Sequence, residues 1–310
     1  MSIKIRQLWP AGLLVPVFAA AGWFAFAAPK EHELDAEKIA AAVGTKTTTT
    51  KDGVVRIAWA RTDVAVTVDG MPLKPFAGLG SWAAFIPAPH GAMAMGDTVV
   101  FQDEVDAAMD AAFESGLHVT ALHNHFFYDE PKVYFMHIGG QGEPEKLATA
   151  VKGVWDAIKK VRAGQAAPAK LFGGETPKEG KIDAEAIEKV LGNKSETQQG
   201  VVKVTIGREG SMHKVKLGGS MGLTTWGAFS GSDELAAVDG DFIMTAEEVQ
   251  PVLHALRKAN IHVVALHNHM MGEQPAFYFT HFWGKGPVQD LAKGLSSALE
   301  AQKEARSKGH

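Results

Sequence analysis

Apolar and polar positions alternate along this chain in one order, and that order occurs twice. Val105, Ala108, Met109, Ala112 and Phe113 recur at helical spacing, as do Val249, Val252, Leu253 and Leu256, so each set predicts an amphipathic helix with one face on a core. Ahead of the first helix, Val54 to Ala60 and Val64 to Val68 are β-branched runs that predict strands, with another around Trp82, and the second half repeats the sequence of elements. After it, Leu117 to His125 reads as a strand, Tyr128-Asp129-Glu130-Pro131 as a turn, and Lys132 to Ile138 as the returning strand of a hairpin. Helices over Pro144 to Lys160 and Pro287 to Arg306 close the two halves. Gly116 and Asn260 suit left-handed helix ends. Thr245 with Glu248 reads as a capping box, whereas Phe101 stands at the equivalent cap position and requires a different start.

The fold class implied is α+β: two tandem homologous domains, each an antiparallel sheet with covering helices, related by an internal duplication. Gly96 to Gly142 lies on Gly240 to Gly286 without a gap, 144 residues apart. The match extends upstream, where Leu34-Asp35-Ala36-Glu37 resembles Ile182-Asp183-Ala184-Glu185, and Gly78-Leu79-Gly80-Ser81-Trp82 resembles Gly222-Leu223-Thr224-Thr225-Trp226. Between the copies, Ala163 to Lys181 is rich in Gly, Pro, Ala and Lys without apolar periodicity, which predicts an exposed linker. Repeat 1 is therefore placed at 30–162, the linker at 163–181 and repeat 2 at 182–306.

Lys4 and Arg6 precede an apolar run from Ala11 to Ala28 that ends in Ala25-Phe26-Ala27, the pattern of a secretory signal peptide over 1–27. Its removal leaves 29 basic against 35 acidic side chains, about −6. That balance argues against nucleic acid as a partner, and the histidine-asparagine-histidine tripeptide is not the dispersed motif of an HNH nuclease. With no cysteine in the chain, neither disulfides nor a lipidated cysteine can serve an exported protein here. The expected location is periplasmic or secreted, with no membrane span after signal cleavage.

The chemistry concentrates in histidine. Eight of the 13 histidines form four pairs at the 144-residue spacing: His118 with His262, His123 with His267, His125 with His269, and His137 with His281. Alternation puts His123 and His125 on one strand face, and the simplest hairpin register adds His137 to that face while sending His118 to the other. His267, His269 and His281 form the equivalent set. Asp129 follows His125 by four and Glu273 follows His269 by four, so each copy offers three imidazoles and an acid. A mixed nitrogen and oxygen set of this kind suits a divalent Zn, Mn, Fe, Ni or Cu ion. Two other readings stand beside it: metal-free histidines that bind a ligand or move protons, and histidines that satisfy one another structurally. His118 and His262 take the structural reading, as do Asn124 and Asn268. Trp82, Trp226, Tyr134 and Tyr278 read as packing residues, and the less bulky loop at Gly272-Glu273-Gln274, where copy one has Tyr128-Asp129-Glu130, makes copy two the better expected site.

Gly-Asp, then Glu-Val, then Ala-Leu-His-Asn-His, Pro, Tyr-Phe and His, together with Trp226-Gly227-Ala228-Phe229, resemble the DUF1259 family, also called LppY/LpqO. The resemblance covers both copies. It implies export and a duplicated domain and supplies no catalytic residues, and the lipoprotein anchor of its mycobacterial members has no cysteine here to carry it. The functional expectation is an exported protein that binds a divalent metal through a histidine hairpin in each repeat, for metal-assisted hydrolysis or for binding an unknown small-molecule or envelope-derived ligand. The alternative is a metal-free periplasmic binding module for such a ligand.

Overall fold

The computed structural model describes residues 33–308; the expected signal peptide at 1–27 lies outside them. Copy one runs α1 (Ala36–Val43), β1 (Thr48–Thr49), β2 (Val55–Ala60), β3 (Thr67–Val68), β4 (Met71–Pro72), β5 (Gly80–Ala88), β6 (Gly91–Phe101), α2 (Val105–Glu114), β7 (His118–His123), β8 (Asp129–Glu130), β9 (Val133–Gly142) and α3 (Pro144–Gly164). Copy two runs α4 (Ala184–Leu191), β10 (Ser195–Gln198), β11 (Val201–Gly207), β12 (Gly210–Met212), β13 (Val215–Leu217), β14 (Thr224–Gly231), β15 (Ala236–Met244), α5 (Ala246–Lys258), β16 (His262–His267), β17 (Glu273–Gln274), β18 (Tyr278–Gly286) and α6 (Val288–Lys308).

The matched Asp-Ala-Glu segments are helix starts. Asp35 accepts the N–H groups of Glu37 and Lys38 at 3.1 Å, and Asp183 does the same for Glu185 and Ala186, which satisfies donors that a helix N-terminus leaves unpaired. α2 and α5 use a glutamate instead. Glu248 accepts the Thr245 N–H at 2.9 Å, and Glu104 accepts the Phe101 N–H at 2.8 Å, so copy one keeps the acidic half of the cap without the hydroxyl residue. Each glutamate is fully buried and neutralised by arginine: Arg61 and Arg162 on Glu104, Arg208 and Arg306 on Glu248.

The two copies do not hold separate sheets. Their strands form one twelve-stranded sheet in the order β1-β2-β5-β6-β9-β7-β16-β18-β15-β14-β11-β10. The halves meet where β7 and β16, equivalent strands, pair antiparallel at the equivalent residues Leu122 and Leu266. Such a junction has the form of an isologous two-fold contact. Beside it, Arg257 of α5 binds Asp110 of α2 at 3.0 Å, while the reciprocal positions, His254 and Phe113, stack at 3.9 Å. The Gln250 side chain bonds both backbone groups of Val119, at 2.8 and 3.1 Å.

Residues opposite one another in antiparallel strands share a face. Trp82, Asp97, His137 and Ala121 therefore form one row, and Trp226, Asp241, His281 and Ala265 form its counterpart. Their neighbours Ala83, Phe85, Met136 and Ile138, and Val238, Phe242 and Phe282, enter a single apolar core shared with helices from both copies. The rows thus lie on the opposite, open face. At its two ends, small ribbons of β4-β3-β8 and β13-β12-β17 fold over lesser apolar clusters that include Phe135 and Phe279.

Val64 to Val68 was expected as a strand, yet only Thr67–Val68 pairs, because this segment leaves the main sheet to meet β8. The pairing of β7 with β9 shifts register between Val119 and Ala121, and that of β16 with β18 between Val263 and Ala265. A bulge of one residue reverses the alternation. His118 and His262 consequently share the face of His137 and His281, correcting the expectation that they point away.

Candidate metal centre

Strand pairing brings the site together from three places in each copy. β16 supplies His267, the loop that follows supplies His269, and β18 supplies His281. One ligand atom from each lies within 4.8 Å of the other two, and among the described residues this is the group of three with metal-site geometry. His269 is fixed by stacking flat on Phe279, 3.6 Å between ring centres. Asn268 donates to the Met270 carbonyl at 2.9 Å, and Asn124 to the Phe126 carbonyl at the same distance, so both asparagines hold the turn.

Hydrogen bonds also settle which nitrogen faces the site. His281 Nδ1 lies 3.3 Å from the Gly240 carbonyl and His267 Nδ1 lies 3.2 Å from the Asn268 carbonyl. A carbonyl only accepts, so each Nδ1 carries the hydrogen and each Nε2 keeps its lone pair, the arrangement by which proteins orient metal-binding imidazoles.

The expected acids are corrected. Asp129 and Glu273 are buried in the turn, where Asp129 accepts from the Val133 N–H at 2.7 Å and from Lys132 at 2.9 Å, and Glu273 accepts from the Phe277 N–H at 2.9 Å. Asp129 spends both oxygens on the loop, and Glu273 spends one, its Oε2 staying buried without a partner among the described residues. The acids beside the histidines are Asp97 and Asp241 on β6 and β15, with Asp241 Oδ2 3.6 Å from His269 Nε2 and Asp97 Oδ1 3.8 Å from His137 Nε2. Each follows a glycine. An added Cβ at Gly240 would collide with the Trp226 carbonyl and the Phe282 ring, so the Gly-Asp pair marks a tight strand approach followed by a site residue.

Asp97 and Asp241 are 9% and 5% exposed, and Oδ1 of each has no hydrogen-bond donor among the described residues. A buried polar atom without a partner calls for a bound ion or water. Burial pushes the Asp241 carboxyl above its usual range, against the opposing pull of His281 and His267. Burial, then His267 and His281, holds His269 below its ordinary value and therefore neutral, the form that binds metal.

Copy one has the same residues in another state. His123 Nε2 and His125 Nε2 lie 3.2 Å apart and share a hydrogen bond, so the two nitrogens occupy one another. His125 stacks on Phe135 at 3.3 Å, and burial is the first cause that lowers both His123 and His125. Outside the clusters, His262 binds Asp106 and stacks on Phe172 at 3.7 Å, a structural role, and His90 and His213 are exposed turn residues. Trp82 and Trp226 are half-buried on the open face, covered by Arg56 and Lys203 at 4.7 and 4.1 Å.

Residues 37–157 and 185–301 each match the family described as Domain of Unknown Function (DUF1259). The chain belongs to the DUF1259 family. It holds two tandem copies of the DUF1259 domain, and the histidine hairpin lies inside both matches. No curated protein matches it. Solved structures similar to it include a trimeric bacterial microcompartment shell protein, PduB, at 9% identity over 84% of this chain and 92% of that one, with a TM-score of 0.22. The ethanolamine utilization protein EutL from Leptotrichia buccalis C-1013-b matches at 10% identity over 72% and 86%, TM-score 0.21, and EtuB from Clostridium kluyveri at 11% over 84% and 92%, TM-score 0.21. Likeness at this level carries no argument about this DUF1259 chain.

Proposed function

We propose that this DUF1259 protein is exported and binds one divalent transition-metal ion in copy two, through His267, His269 and His281 with Asp241 as the oxygen ligand. The observation that carries this reading is the convergence of three imidazole nitrogens within 4.8 Å, with Oδ2 of the buried Asp241 carboxylate 3.6 Å from His269 Nε2 and its Oδ1 without a donor. Three nitrogens and one oxygen suit Zn, Mn, Fe, Ni or Cu, and the absence of cysteine disfavours softer thiolate chemistry. The ligands sit on the open face of the sheet, so coordination positions away from the strands are accessible to water or to a ligand. A metal held this way polarises an oxygen ligand or lowers the pKa of bound water, the basis of metal-assisted hydrolysis. Export rests on the N-terminal pattern of Lys4, Arg6 and the apolar run to Ala28. No helix among the described residues is long and apolar enough to cross a membrane.

The test is metal analysis of protein purified without a histidine tag, followed by zinc titration. One ion per chain is expected, lost in the His267→Ala and His269→Ala double variant. Protein that arrives metal-free and ignores added Zn, Mn and Cu ends this reading.

A further inference from the structure

The linker between the copies is pinned across the open face of copy two. Asp103 accepts the Ala169 N–H at 2.9 Å and pairs with Arg162, which fixes the linker where it leaves α3. Phe172 then stacks on His262 at 3.7 Å, and Lys285 donates to the carbonyls of Phe172 and Glu175, each at 3.3 Å. Between this strap and the sheet lies a cavity of about 850 Å³, within the range of about 300–1,000 Å³ usual for small-molecule sites. Trp283, Val264 and Ala237 line its sheet side, Phe172 and Leu171 its strap side, and His281 reaches it from the metal cluster. Leu171 is 84% exposed, an apolar side chain held in the open beside the cavity.

We infer that this cavity is the ligand pocket of the copy-two metal site, and that it takes a small ring compound bearing adjacent oxygen donors, such as a hydroxy-carboxylate. The inference rests on the metal reading above for the oxygen end of the ligand. Trp283 and Phe172 offer flat apolar surface for the ring. The lining charges leave little net preference of their own: Lys285 is engaged by two carbonyls, Asp103 by the strap anchor, and Lys170 and Lys178 are matched by Glu179 and Asp239. An anionic oxygen head is then best placed on the cation that His281 holds. Because the strap is already tied down, the ligand has little ordering left to impose. Copy one has no equivalent lining. At the positions of Ala237, Asp239 and Trp283 it carries Met93, Met95 and Gly139, and the two methionines are exposed.

Salicylate, a fluorescent ring with a hydroxyl beside a carboxylate, is the probe. It is titrated into zinc-loaded full-length protein, into Ala237→Phe, which fills the cavity from the sheet, and into Thr176→Trp, which fills it from the exposed strap and leaves the core untouched. Saturable binding that weakens at least about tenfold in the variants while zinc stoichiometry stays unchanged is the expected result. Salicylate that does not bind, or that binds equally well to both variants with zinc in place, overturns the pocket. Protein that takes no zinc sinks the metal reading instead. Salicylate titrated into that protein then decides the cavity alone, since binding lost in Thr176→Trp supports it and absence of binding overturns it.

Discussion

Copy one and copy two carry the same histidines and the same buried aspartate, yet their ring nitrogens are used differently. In copy two, backbone carbonyls take the Nδ1 hydrogens of His267 and His281 and turn the remaining lone pairs inward. In copy one, His123 and His125 bond each other through Nε2. The open face around them differs too: a tethered strap roofs copy two, while Met93 and Met95 stand exposed at the matching positions of copy one. The same set of side chains is thus presented in two ways, because the partners of the imidazoles decide whether their lone pairs are available.

The largest expected effect tests how far the copies are equivalent outside the site. Arg61 is wholly buried, binds Glu104 twice at 2.8 Å and also the Val99 carbonyl at 3.0 Å, so Arg61→Ala should destabilise by about 3–5 kcal/mol in urea unfolding. Arg208→Ala should cost about 1–2 kcal/mol, because the Arg208 side chain is partly exposed and both Gln302 and Arg306 remain on Glu248 at 3.0 and 3.1 Å, whereas loss of Arg61 empties a fully buried position and leaves Glu104 with one arginine, Arg162. Equal losses would show that the two buried pairs do the same work despite their different partners.

Metal affinity comes next. His267→Ala with His269→Ala should weaken zinc binding by more than about 100-fold in calorimetric titration, since even outer partners of metal ligands are worth about 10–100-fold. His123→Ala with His125→Ala should leave that affinity within about twofold of the parent, well under the 1.4 kcal/mol of a tenfold change. A reversal of the two results would make copy one the binding half. Asp241→Asn should weaken zinc by about tenfold, with Asp97→Asn without effect.

A smaller effect follows from pH. Burial holds His123, His125, His254 and His269 below the ordinary value of 6.5, so just below that pH the unfolded chain binds more protons than the folded one. Stability of the metal-free protein should fall as pH drops through that window, read as an earlier urea midpoint. Asp241, raised by burial, works in the opposite sense at lower pH, where the folded state gains the proton first. Smallest of all, Met95→Thr on the bare face of copy one should change stability by no more than about 0.5 kcal/mol.

The helices and the hairpin were legible because each has a period: Val105, Ala108, Met109 and Ala112 are all buried on α2, and Val249, Val252, Leu253 and Leu256 on α5. His123 and His137 share a face because both lie on the same side of the bulge, and His125, in the loop beyond β7, joins them through its stack on Phe135. His118 was misplaced, since a single extra residue near Val119 leaves no mark in composition and inverts every face before it. Asp97 escaped for another reason. It lies 40 residues from His137 in sequence and meets it only through the β6·β9 register, so no local spacing could link them; the repeated Gly-Asp pair was the available signal. Asp129 misled because closeness in sequence placed it near the histidines while its turn consumed both oxygens. The joining of the two sheets into one also had no local signature, since nothing in β7 or β16 distinguishes an edge that stays bare from one that finds a partner.

That seam pairs like strands at equivalent residues and is closed by Arg257 on Asp110 and Gln250 on Val119. Copy one released from its own copy two presents an edge that fits copy two of a second chain equally well, and exchange between two chains rebuilds the seam, with the strap that is tied to both halves as the segment that must open. Refolding at high concentration should accordingly trap interlocked dimers that keep the copy-two histidine cluster of each chain, visible as a slowly reverting early peak in size-exclusion chromatography.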